Sequence, residues 1–288
     1  MRRGAVLSVT TLIACAITAC THAASAVRAD GGTMDAAMDE PAAGNTDDGG
    51  ADASDEYVAP TQAFVRLAQT SPDAPSLDVC VAPHGSGAFD GPLLAKLAAS
   101  LAGDAGASPD AAAAGLAYAQ VSAYVPLDPA AYDVRVIAAG SPCASFPLVP
   151  DRTDLPALDA GSYTTLLVAG EIAAGDAGAP MALTALLDDS ALPGGGALLR
   201  AINAAPGQPL LDFGLGAAAT WLPVLTNVAF GAASAQTAPG EGSVDANGYV
   251  PAAPTGPDGQ TFSARVSTTD AGTNVASAGD VAIDLGAV

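Results

Sequence analysis

Short runs in which apolar and polar positions alternate recur along the chain from residue 61 onward, and each reads as a β-strand with one face turned to a core. Ala63-Phe64-Val65-Arg66-Leu67 puts Val65 and Leu67 on one side and Arg66 on the other. Leu77-Asp78-Val79-Cys80-Val81 and Tyr132-Asp133-Val134-Arg135-Val136 repeat the pattern, and Leu116 to Val125, Ser162 to Val168 and Met181 to Leu187 are further β-rich runs. Asp128-Pro129, Gly140-Ser141-Pro142 and Asp159-Ala160-Gly161 mark turns between them. About seven short strands at this spacing predict an all-β fold, an antiparallel β-sandwich over 61–190. Leu93, Leu94, Leu97 and Leu101 depart from the period of two, and their spacing predicts a short helix against the side of the sandwich.

The strand pattern occurs twice. Arg66 and Arg200, Pro72 and Pro206, Pro75 and Pro209, Leu77 and Leu211, and Asp78 and Asp212 all stand 134 residues apart. Leu116-Ala117-Tyr118 and Ser122 match Val228-Ala229-Phe230 and Ser234 at 112, so the first copy carries extra chain between Pro83 and Gly115. Gln260 to Val266 repeats Ala130 to Val136. The predicted organisation is a first domain over 61–190, a Pro- and Gly-rich linker at 191–196, and a second domain over 197–288 that is shortened at its end. In each copy a proline turn joins two alternating runs. Paired as a hairpin centred on Pro72 or Pro206, those runs would set Arg66 opposite Asp78 and Arg200 opposite Asp212, as structural ion pairs on the non-core face. A pair that satisfies itself leaves little capacity for a ligand, so ligand binding by Arg66 and Asp78 is the minor reading.

Ahead of the strands the pattern changes. Arg2 and Arg3 precede an apolar run, Gly4 to Ala16, that is too short to span a bilayer, which predicts a signal peptide over 1–19. The run ends in Ile17-Thr18-Ala19-Cys20, which resembles the lipobox of bacterial lipoproteins and implies lipidation of Cys20 and a membrane anchor there. Thr21, rather than an aspartate, follows the cysteine. By resemblance to sorted lipoproteins this favours the outer membrane; the competing reading is secretion, with cleavage after Ala24-Ser25-Ala26. Residues 20–60 hold almost no large apolar side chain and a cluster of acids, so they predict a disordered acidic tether.

With 9 basic against 30 acidic residues the chain is incompatible with nucleic acid, which selects clustered Lys and Arg. An aromatic content of 5% leaves the core to Leu and Val and makes a sugar-stacking platform hard to assemble. Candidate chemistry is thin. Of the two histidines, His22 falls in the tether and His84 in the loop Pro83-His84-Gly85-Ser86-Gly87, without a nucleophile elbow. Cys80 and Cys143 are the only thiols in the two domains, and in an oxidising compartment they predict a disulfide, tying a surface loop to the sandwich, rather than a zinc site. No P-loop or dinucleotide fingerprint is present, and no cofactor or metal is expected. Asp188-Asp189 is one of several carboxylate pairs available to a hydrolase, and Trp221 reads as a packing residue of the second copy.

Taken in order, Arg66 to Val79 with its Ser71-Pro72-Asp73-Ala74-Pro75 turn, Leu116-Ala117-Tyr118 with Val121, Ser122 and Tyr124, Tyr132 to Val136, and Ala160-Gly161-Ser162-Tyr163-Thr164 resemble the bacterial and archaeal domain of unknown function 4397. The resemblance covers about 62–190 closely and 197–288 more loosely, and Gly207 and Gln208 replace Asp73 and Ala74 in the second copy. It implies two tandem immunoglobulin-like antiparallel β-sandwiches in an exported protein, with no established catalytic activity. The expected function is a non-enzymatic, lipid-anchored cell-envelope protein acting as a structural or interaction module, with envelope proteins or polysaccharide as partners. The alternatives are a surface lipoprotein binding carbohydrate or a divalent cation, and a hydrolase using Asp pairs.

Overall fold

The computed structural model describes residues 60–98, 115–175, 178–188, 197–207, 210–215, 221–235, 243–252, 260–266 and 278–283. The expected signal peptide (1–19), the tether up to residue 59 and the linker (191–196) lie outside them. The described chain is built of strands: β1 (Ala63–Gln69), β2 (Leu77–Pro83), β3 (Gln120–Val121), β4 (Val125–Leu127), β5 (Tyr132–Ala138), β6 (Tyr163–Ala169), β7 (Ala182–Asp188), β8 (Ala197–Arg200), β9 (Leu210–Leu215), β10 (Leu222–Ala229), β11 (Tyr249–Ala252), β12 (Gln260–Val266) and β13 (Ala278–Ile283).

In the first half, one sheet runs β3-β1-β6-β7 with β4 also on β1, and a second layer is the ladder of β2 and β5. The two layers face each other over one core of Val65, Leu67, Leu77, Val79, Val81, Val134, Val136, Leu166, Val168 and Leu183. The hairpin expected of β1 and β2 is therefore absent: they lie in different sheets. Side by side in one sheet, their apolar faces would both need a further layer to cover them. In opposite layers, Val65 and Leu67 pack against Leu77, Val79 and Val81 directly.

The proline turn makes the crossing. Pro72 and Pro75 have no N–H to continue a ladder, and the buried Gln69 amide braces the turn instead, its Oε1 accepting from Ser71 N at 2.8 Å and its Nε2 donating to the Pro75 carbonyl at 3.4 Å. Asn203 braces the equivalent turn of the second copy by accepting from Ala205 N at 3.1 Å. A second departure from the antiparallel expectation is that β1 and β6 pair in parallel, Phe64 opposite Tyr163 through Gln69 opposite Val168. A parallel pair needs a crossover connection, and here it runs through the opposite layer, by way of β2 and β5.

The second half repeats these pairings. β8 pairs with β11 as β1 does with β4, β9 with β12 as β2 with β5, and the Ile202–Ala233 bridge stands where Ala68 meets Val121. Its core gathers Leu199, Leu211, Phe213, Leu225, Val228 and Val250, and β13 adds an antiparallel strand to β12. The two copies are also fused: Ala68, Leu167 and Ala169 of the first form an apolar cluster with Ile202 and Ala204 of the second.

The face of β2 carrying Asp78 and Cys80 is buried, not solvent-facing as alternation implied. Residues 93–98 form the expected helical turn beside it, with Leu93 in the core. Cys80 is fully buried and joined to Cys143, 63 residues away, with Cα atoms 5.8 Å apart. Closing a loop of that length stabilises by roughly 3–5 kcal/mol in the chain-entropy account. Cys143→Ala, which leaves Cys80 as a small buried thiol, is expected to lower the urea unfolding free energy by about that amount; an unchanged midpoint and slope would contradict it.

Candidate functional site

Asp188 is the last residue of β7, and only 1% of its side chain is exposed. Two arginines converge on it, Arg66 from β1 and Arg200 from β8. Arg200 binds Oδ1, and its second terminal nitrogen donates to the Leu187 carbonyl at 2.7 Å. The Tyr249 hydroxyl donates to the same Oδ1 at 3.3 Å. On the other oxygen, Oδ2, the hydroxyls of Tyr124 and Thr165 donate at 2.7 Å and 2.5 Å, and the Arg66 guanidinium stands 3.5 Å away while its Nε donates to Thr165 Oγ1 at 2.9 Å. Each guanidinium lies on a tyrosine ring, Arg66 over Tyr124 at 4.7 Å and Arg200 over Tyr249 at 4.5 Å.

These are equivalent residues of the two copies. Arg66 and Arg200 share the repeat offset, and Tyr124 and Tyr249 precede or open the equivalent strands β4 and β11. The face of β1 and β8 on which alternation set the arginines is thus the junction between copies, and the partner of both is Asp188 rather than Asp78 or Asp212. Four hydrogen bonds fill the roughly four lone-pair positions of the Asp188 carboxylate. It has no free acceptor to offer a substrate. Asp189, its neighbour in the carboxylate pair, lies outside the described residues.

Asp78 has a different task. Its carboxylate accepts from Val79 N at 2.7 Å, Leu94 N at 2.9 Å and Ala95 N at 3.1 Å, so a residue of β2 caps the 93–98 turn from outside the turn. Burial pushes its pKa up, against the pull of these N–H donors. Asp212 accepts from Asn227 N at 2.8 Å and stands opposite Arg265 in the ladder of β9 and β12. The Trp221 ring is covered by the Arg265 guanidinium at 4.3 Å and so offers no open stacking face on that side.

His84 Nδ1 bonds Asp133 Oδ1 at 2.7 Å with 58% of the His84 side chain exposed, and Gly85, whose φ of 76° turns its N–H inward, donates to Oδ2 at 3.0 Å. The Gly85 and His84 bonds hold the Asp133 carboxyl below its ordinary 3.8. A depressed carboxylate contributes stability above 3.8 that is lost as the pH falls through its lower folded value. Among the described residues no group of three or more His, Cys, Asp or Glu is placed to hold a metal ion.

The surface feature that sequence reasoning missed is Phe146, 93% exposed. It stands on the loop between Ala138 and Leu148, which is held at several points. Cys143 is bonded to Cys80, and the Arg135 guanidinium donates to the Cys143 carbonyl at 2.9 Å, grips both oxygens of Asp151 at 2.9 and 2.7 Å, and lies 4.0 Å over the Phe89 ring. Leu148 N closes the loop by donating to the Val136 carbonyl at 2.9 Å. Pro142 and Pro147 limit its remaining freedom. The run Cys143-Ala144-Ser145-Phe146-Pro147 carries no periodicity, so its lone aromatic reads as one more loop residue.

Two measurements check this account. Asp188→Asn leaves two buried guanidiniums without their carboxylate, and a loss of about 3–5 kcal/mol in urea unfolding is expected, whereas Asp154→Asn, at an exposed pair, should change stability by less than about 0.5 kcal/mol. His84→Ala should raise the Asp133 titration midpoint toward 3.8, read by carboxyl carbon NMR; no movement would contradict the role given to the imidazole.

The family described as "Domain of unknown function (DUF4397)" matches residues 96–214. No curated protein and no solved structure matches the chain. The matched span runs from the 93–98 turn into β9, takes in Tyr124, Thr165, Asp188 and Arg200, and leaves out Arg66 to Val79, on which the sequence resemblance leaned most. Over residues 96–214 the chain is similar to the DUF4397 family of domains of unknown function.

Proposed function

We propose that this is a non-enzymatic interaction module of the cell envelope: two tandem immunoglobulin-like sandwiches, exported and held at the membrane by a lipid on Cys20, binding an envelope partner through the Phe146 loop. The observation that carries the reading is the fully presented Phe146 ring on a loop fixed by a disulfide and a forked arginine. A rigid aromatic that is already ordered loses little entropy when it enters a partner's pocket, which is the character of an interface anchor. The charge distribution sets the partner's chemistry. Every basic residue beyond Arg28, namely Arg66, Lys96, Arg135, Arg152, Arg200 and Arg265, is engaged within the chain by an ion pair or a ring. The surface left is acidic, and an apolar pocket with a basic rim complements it.

Envelope extracts passed over the mature chain are expected to yield one partner whose retention falls at least about tenfold with Phe146→Ala, with calcium making no difference. Equal retention by wild type and variant would remove the loop from the interface, and retention that requires calcium would favour the cation-binding alternative. Metabolic labelling with a palmitate analogue should mark the wild type and leave Cys20→Ala unmarked; label on both would exclude the anchor.

A further inference from the structure

At one end of the first core the two layers part around a cavity of about 260 Å³. Its wall is mostly apolar, with Val65, Leu127, Val134, Leu166, Ala185 and Leu187 among the lining side chains and Asp159, Ser162 and Thr164 as polar members. The irregular segment Leu155-Pro156-Ala157-Leu158 closes it as a strap, tied at Leu158 N to the Ala130 carbonyl at 2.9 Å. Leu187, 51% exposed, stands at the edge. A wider cavity of about 610 Å³ adjoins it, sharing Val81, Leu127 and Tyr132, and is bordered by Asp90, Lys96 and Asp128.

We infer that the smaller cavity is a binding site for a single hydrocarbon chain carrying a neutral or cationic head. An apolar cavity of about 150 Å³ stays dry and takes up benzene, so one of this volume accommodates about ten non-hydrogen atoms. Interiors are otherwise packed to crystal density, and a void this large is a standing loss of contacts to the fold unless a ligand fills it. The head group follows from the rim. Asp159 lines the cavity, and in the adjoining space Lys96 is held by both oxygens of Asp90 at 2.6 Å, which leaves Asp128 to set the sign. An anionic head would meet like charge there. This site is separate from the Phe146 loop and does not depend on the interaction reading.

Calorimetric titration of the whole mature chain with octylamine, octan-1-ol and octanoate, each below its aggregation concentration, tests it. Octylamine and octanol are expected to bind saturably with a negative heat-capacity change, and octanoate about tenfold more weakly. Ala185→Leu, which fills the cavity, should abolish binding and raise the melting temperature of the unliganded protein. Absence of saturable binding to all three probes would overturn the proposal, as would undiminished binding by a folded Ala185→Leu chain, and equal affinity for octanoate would overturn the head-group assignment. Should that variant not fold, methyl NMR of the wild type decides: octylamine shifts confined to Val65, Leu127, Val134 and Leu187 support the site, and shifts elsewhere overturn it.

Discussion

One carboxylate fixes how the two copies of this chain meet. Removing Asp188 from water costs several kcal/mol, and bringing two guanidiniums in with it multiplies the cost. The arrangement stands on the four hydrogen bonds to the carboxylate and on the ring contacts of the arginines, while Arg66 Nη2 and Arg200 Nε are left without a hydrogen-bond partner. The Tyr124 and Tyr249 hydroxyls fill lone pairs while their rings take the flat faces of the arginines, and Thr165 both accepts from Arg66 and donates to Asp188. Cation–π contact matters more in such a place than at a surface, because it supplies negative potential without a second buried anion. Beside this cluster the contact is plain: Ala68 and Leu167 against Ile202 and Ala204. The apolar patch supplies adhesion, and the charged cluster sets the geometry, since few other placements of β8 on β1 and β7 would satisfy it.

The strands themselves were legible because alternation is a local property, and runs such as Tyr132 to Val136 carry it in full. Their partners were not. Alternation says that β1 and β2 each own an apolar face but not whether those faces lie side by side or across a core, and a hairpin centred on Pro72 satisfies the pattern as well as two opposed layers do. What separates the two arrangements is the buried Gln69 amide, which braces the turn in a direction away from β1, and nothing in the residue pattern announces that role. The same limit explains Arg66 and Asp78. Equal offsets match Arg66 to Arg200 and Asp78 to Asp212. The acid that both arginines use occurs once, at a position with no repeat partner, so matching one copy to the other could not find it.

Burial of a nominally outer face has the same origin. Asp78 and Cys80 sit on the side of β2 that alternation assigns to water, and in an isolated sandwich they would be there. The chain inserted after Pro83 folds back over them, its 93–98 turn taking Asp78 as an external cap, while the loop after β5 brings Cys143 onto Cys80. Of the inserted chain, the 93–98 turn thus acts as a cover for one sheet face. The strand needs a polar and a small residue there, not two more leucines, because the cover docks through N–H groups and a sulfur.

The two copies also differ in what their outer strands require. β1 has β3 and β4 along one side and β6 along the other, so its backbone donors and acceptors are engaged on both. β7 ends that sheet, and an unpaired edge invites pairing with another chain. Here the Leu187 carbonyl, on that edge, is taken by Arg200 of the second copy, which in the same stroke binds Asp188. A side chain that closes a sheet edge and neutralises a buried acid cannot be replaced by Lys, whose ammonium lacks the forked geometry to reach both groups. The second copy therefore acts as the cap of the first, and the asymmetry of the tandem follows: Thr165 on β6 supports Arg66, while Arg200 finds its support in the edge it covers.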